Sequence, residues 1–86
     1  MYDQEKDKKI KEIGSIFNGS IEDATIRISV EIYQYGKGDP KVSIQRWYRR
    51  GVEDWKAAKL GRLTPKEAVE LQKLLSEAVE FIDTQI

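Results

Sequence analysis

ATIRISVEIYQY, residues 24–35, is the stretch that decides the fold. Ala24, Ile26, Ile28, Val30 and Ile32 fall on one side of an extended chain, and Thr25, Arg27, Ser29, Glu31, Tyr33 and Tyr35 fall on the other. Strict alternation with β-branched residues on the apolar side is the pattern of a half-buried antiparallel strand. Gly36-Lys37-Gly38-Asp39-Pro40 follows as a dense turn signal. KVSIQRWYRR, residues 41–50, then alternates again. Val42 and Ile44 face inward there, with Tyr48 a further inward candidate, while Lys41, Ser43, Gln45, Trp47 and Arg49 face out. Two alternating runs joined by a five-residue Gly/Pro turn make a hairpin.

Downstream of the hairpin, Gly51-Val52-Glu53-Asp54 reads as a second turn, and residues 55–63 read as a short fourth strand of uncertain register. Thr64-Pro65-Lys66-Glu67 is a helix start. Thr64 can accept from a free backbone amide, Pro65 stands where a missing N–H costs nothing, and Glu67 can close a capping box. Ala68, Leu71, Leu74, Leu75, Ala78, Val79 and Ile82 recur at amphipathic-helix spacing, which predicts a helix to about Asp83. Upstream, a first strand is expected over about residues 10–17, ended by Asn18-Gly19-Ser20, with residues 1–9 a tail or short helix. The expected architecture is α+β: a four-stranded antiparallel curved sheet followed by one C-terminal amphipathic helix, β-β-β-β-α, forming a single domain over residues 10–86.

Composition narrows the function. The chain has 86 residues with no histidine and no cysteine. This removes the commonest general base, the commonest zinc ligands and any disulfide framework. The acidic pairs Glu22-Asp23 and Glu53-Asp54 fall in expected turns, where solvated carboxylates are ordinary. No enzymatic activity, metal, cofactor or small-molecule substrate is expected. No run approaches the roughly 20 apolar residues of a membrane helix, and the start of the chain has no signal-peptide core, so a soluble, cytoplasmic protein without a membrane partner is expected.

Charge cancels overall but is segregated: residues 37–66 carry nine Lys/Arg against three acids, while residues 1–36 and 67–86 are net acidic. Aromatics are interleaved with cations and amides on the outward side of the hairpin and beyond it: Tyr33, Tyr35, Lys41, Gln45, Trp47 and Arg49, then Trp55, Lys56, Lys59 and Arg62. Unpaired bases expose π-faces that stack on aromatic rings, while cations follow phosphates, so this mixture favours single strands over duplex with strong salt dependence. Each group also has a plainer reading, as cross-strand packing for the aromatics and solvation for the cations. The apolar arc of the helix, Leu71, Leu74, Leu75, Ala78, Val79, Phe81 and Ile82, is wide for one small sheet and suggests that two helices pair in a homodimer.

The order of elements, the stretch KVSIQRWY over residues 41–48, the glycine-containing basic segment from Lys56 to Gly61 and the helix start Leu63-Thr64-Pro65-Lys66-Glu67 resemble the single-stranded-DNA-binding domain of the positive cofactor four family of transcriptional coactivators. The resemblance covers about residues 11–82. It implies a homodimer with paired helices, binding single-stranded DNA for transcription, replication or repair. It would make Tyr33 or Tyr35 a stacking aromatic of the second strand, Gln45 a counterpart of a basic third-strand contact, Tyr48 or Trp47 the stacking aromatic at that strand's end, and Lys56 and Lys59 phosphate contacts. Glu31 and Gln45 depart from the family's pattern, standing where it tends to have arginines. Two other functions compete: a protein-interaction or dimerisation module, and a single-stranded RNA binder.

Overall fold

The computed structural model describes residues 7–51 and 53–84. Residues 1–6 of the expected tail lie outside that range. Four antiparallel strands, β1 (Asp7–Phe17), β2 (Ile26–Tyr35), β3 (Lys41–Tyr48) and β4 (Lys56–Ala58), form one open curved sheet in the order β1-β2-β3-β4, and the helix α1 (Pro65–Thr84) follows. The β-β-β-β-α reading is correct. β1 is longer than expected, since residues 7–9 are strand and not tail, and β4 is only three residues long.

α1 lies across β1 and β2. Its Leu71 and Ala78 are buried against Ile16, Ile28, Val30 and Ile32, and Val42, Ile44, Leu60, Leu63, Leu74, Leu75, Phe81 and Ile82 pack around that centre. The central strand β2 supplies the three largest fully buried apolar side chains, Ile28, Val30 and Ile32. Burial of each contributes about 1.5–3 kcal/mol.

β1 reaches this arrangement through two bulges. Lys9 and Lys11 pair with the adjacent residues Tyr33 and Ile32, and Glu12 and Gly14 pair with Glu31 and Val30, so Ile10 and Ile13 are the extra residues. Each bulge resets the side-chain alternation by one and bends the strand. Gly14 lies where the helix crosses. A Cβ at that position would sit 2.9 Å from Leu74 Cδ2, so glycine is what permits the close approach of helix to strand.

The helix start is the expected capping box. Thr64 N–H donates to Glu67 Oε1 (2.9 Å), and Glu67 N–H donates to Thr64 Oγ1 (3.1 Å). The Thr64 amide, with a further contribution from the Arg46 guanidinium, holds the Glu67 carboxyl below its ordinary value of 4.5. A carboxylate whose folded pKa is depressed stabilises the fold fully above its unfolded pKa, and that contribution is lost as pH falls through the folded value. Glu67→Gln keeps an acceptor for the cap but has no charge. Its melting temperature is therefore expected to fall less steeply than that of the unmodified chain below about pH 4.5, as thermal denaturation across pH 6 to 3 would show.

Candidate nucleic-acid interface

The strand register puts the two sides of β2 to different uses. Ile28, Val30 and Ile32 face the helix, and the intervening residues line the opposite, helix-free face. Its cross-strand rows are Phe17–Arg27–Trp47–Ala57, Ser15–Ser29–Gln45, Glu12–Glu31–Ser43 and Lys9–Tyr33–Lys41, with Asp7–Tyr35 at the far end. Polar residues at its centre are buried although, among the described residues, no helix or strand is packed over them: Ser29 is 0% exposed and Glu31 is 7% exposed. Longer neighbours close over Ser29, while Glu31 keeps a narrow opening onto a groove.

Those neighbours are joined by polar contacts. The Trp47 indole N–H donates to Ser29 Oγ (2.8 Å), and Ser29 Oγ donates a long bond to Glu31 Oε1 (3.5 Å). Lys9 Nζ donates to Glu31 Oε2 at 3.1 Å. That hydrogen bond and the charge behind it raise the Lys9 pKa above its ordinary 10.5. Arg27 donates to Ser15 Oγ (2.9 Å), pairs with Glu12 (3.3 Å) and lies 5.8 Å from the centre of the Trp47 ring. Two open grooves flank this core. One lies between Tyr33, Lys41, Ser43, Gln45 and Trp47 with Glu31 in its lining, and the other lies between Phe17, Ile21, Arg27 and Trp55.

Several expected contacts are placed elsewhere. By register Tyr48 pairs with Ile26 and Lys56, so Tyr48 and Lys56 belong to the helix side of the sheet, opposite Trp47. Lys59 and Arg62 lie in the connection from β4 to α1, beyond the end of the β3–β4 ladder. The Gln45 amide donates to the carbonyls of Arg46 and Ala58 (2.9 Å each), which ties it to its own backbone. Arg49 donates to the carbonyls of Ala24 (2.9 Å), Ile21 and Glu22 and stacks 4.2 Å over the Trp55 ring, so it fastens the loop between β1 and β2. Trp55 in turn meets Phe17 at 6.2 Å. Tyr33, Tyr35, Lys41 and Trp47 share the open face as expected, and Tyr35 is 51% exposed. The basic segment does not form a single basic face. Arg46 and Lys56 point to the helix side, Arg49 is turned to the loop, and the open face mixes Lys9, Arg27 and Lys41 with Asp7, Glu12 and Glu31.

Comparison with protein-family models, curated proteins and solved structures found no match. Among the described residues no helix is long and apolar enough to cross a membrane, and no group of three acidic side chains could hold a metal ion.

Sequence reasoning put Arg27, Ser29 and Glu31 on this side of β2 without assigning them to the site, and it missed Phe17 and Lys9 altogether. Arg27, Ser29 and Glu31 were legible, because they share the alternation of Tyr33. Phe17 and Lys9 were not, because the bulges of β1 decide which way each points.

Part of the expected dimer stripe is occupied within the chain itself. Leu71 and Ala78 are buried in the chain's own core, Leu74 abuts Gly14, and Phe81 packs against the core with Lys11 Nζ 5.9 Å from its ring centre. Among the described residues, Val69 and Val79, each 54% exposed, are the large apolar side chains of the helix that face outward.

Proposed function

We propose that the helix-free face of the sheet binds unpaired nucleic acid, largely without regard to sequence, by stacking bases on its aromatic rings. The observation that carries this reading is the placement of Tyr33, Tyr35 and Trp47 with Lys41 on one open sheet face, with Phe17 and Trp55 at its β1 end. Each stacked base contributes about 1–3 kcal/mol and needs no particular sequence. The resemblance to the positive cofactor four family supports single-stranded DNA as the ligand, with a role in transcription, replication or repair, and RNA is the alternative polymer.

The geometry revises the expected salt dependence. Lys9, Arg27 and Arg49 already hold carboxylate or carbonyl partners, so few cations on or beside this face are available to displace counterions. With about two phosphates neutralised, log K should fall with log salt at a slope of about −1.5, much shallower than for a basic groove. Tryptophan-fluorescence titration with an unstructured single-stranded oligomer, and the matched duplex as control, tests the reading. Quenching by the single strand with much weaker duplex binding supports it. No response to either at low salt removes it and leaves a protein-interaction module as the better account.

Two copies of the chain are proposed to pair through the outer side of α1. Val79 is exposed there between Leu75 and Ile82, which are only partly buried. Val79→Glu is expected to convert a dimeric mass to a monomeric one in light scattering while leaving the fold intact. A monomeric mass for the unmodified chain at micromolar concentration would exclude this pairing.

A further inference from the structure

The central carboxylates of the open face determine which part of a polynucleotide can lie over them. Glu31 and Glu12 are directly opposite each other across β1 and β2, in the middle of the face proposed above to bind single strands. Both carboxylates already hold their cations, Glu31 with Lys9 and Glu12 with Arg27, so the centre offers a phosphate no free positive charge and the backbone is drawn instead to Lys41 at the rim. What reaches the centre is the edge of a base.

A carboxylate accepts hydrogen bonds and cannot donate them, and its two oxygens have about four acceptor sites. Here Lys9 takes one site on Oε2 at 3.1 Å, and Ser29 makes only a 3.5 Å contact to Oε1. Glu31 lines the groove whose walls include Tyr33 and Trp47. A base stacked on either ring would bring its Watson–Crick edge toward this carboxylate. Guanine presents two adjacent N–H donors on that edge. Cytosine and adenine present one amino group beside an acceptor nitrogen. Thymine and uracil present a single N–H between two carbonyl oxygens, which a carboxylate repels.

We infer that Glu31 reads one unpaired base in the groove between Tyr33 and Trp47, favouring guanine and rejecting thymine or uracil. This inference rests on the single-strand reading and adds one selective position to otherwise sequence-tolerant binding. A well-formed bidentate base contact discriminates by roughly 5- to 100-fold.

The test compares an all-thymidine oligomer with the same oligomer carrying one central deoxyguanosine or one central deoxyinosine, which keeps the ring N–H but lacks the amino group. The guanosine oligomer is expected to bind roughly 5- to 100-fold more tightly than the thymidine oligomer, with most of that gain absent for inosine. Glu31→Gln should bring the three affinities together. Equal binding of all three oligomers by the unmodified chain overturns the inference and leaves the single-strand reading standing. A guanosine preference that persists in a folded Glu31→Gln chain also overturns it. Failure to bind any oligomer removes both. Because inosine alters the ligand and not the protein, that arm decides the question even if the variant does not fold.

Discussion

Arg46→Ala is expected to lower the melting temperature by roughly 10–25 °C. Arg46 faces the helix side of β3, opposite Ala58, in a position that alternation alone would give to an apolar residue. Its guanidinium donates to the carbonyls of Leu60 (2.8 Å) and Arg62 (3.0 Å) and pairs with Glu67 Oε2 (3.3 Å). The segment between β4 and α1 has no strand or helix ladder of its own. Arg46 therefore satisfies the backbone groups that seat Leu60 and Leu63 against the core, and it fastens the capping residue of the helix as well. Hydrogen bonds to a charged group contribute about 1.5–3 kcal/mol each, reduced here because carbonyls released at the surface can turn to water. A net loss of about 2–4 kcal/mol is reasonable, and each kcal/mol moves the melting temperature of a domain this size by about 4–8 °C. Arg46→Lys should fall between the two, since one ammonium cannot span three acceptors in a fixed fork. Circular dichroism melts check this. A drop under about 5 °C for the alanine variant would mean that Leu60 and Leu63 hold the segment by packing alone.

Trp47→Ala is expected to weaken single-strand binding by roughly 5- to 150-fold, the loss of one stacking platform. Trp47 lies between the two grooves, with Arg27 over its ring and Ser29 beneath its N–H. Trp47→Phe keeps one aromatic ring while losing the pyrrole ring and its donor, so its affinity should fall between those of the unmodified and alanine chains. Arg49→Ala serves as the contrast. Its contacts are to the loop and to Trp55, and it should lower stability far more than affinity. Fluorescence anisotropy with a labelled oligomer measures all three. Equal affinities for the unmodified, Trp47→Ala and Tyr33→Ala chains would place any binding off this face.

The two kinds of residue on β2 show how much could be read in advance. Ile28, Val30 and Ile32 announced a core strand through their period, and Tyr33, Trp47 and Lys41 announced an open face through theirs. β1 defeated the same method. Its apolar residues Ile10, Ile13 and Ile16 are spaced by three, which no regular strand allows, and two bulges absorb the mismatch. That spacing signals an irregular strand but does not say where the bulges fall, so the side taken by Lys9 and Phe17 and the pairing of Phe17 with Arg27 waited for the register. The side of the sheet that a residue faces followed from alternation in β2 and β3 but not from the charge of its segment. Charge in a sequence segment has no direction until neighbouring strands and turns orient it, so Lys56 and Arg46 turned to the helix side while Lys41 stayed on the open face.

Local pattern by itself determined the element order, the hairpin, the facing of β2 and β3, and the capped helix, because each follows from spacing and capping within a few residues. Tertiary structure alone decided three things: the closeness of α1 to β1 at Gly14, the use of Arg46, Arg49 and Gln45 as backbone fasteners, and the burial of Glu31 beside Lys9. Each depends on which distant backbone or side-chain groups need a partner, and those groups come together only when the chain closes.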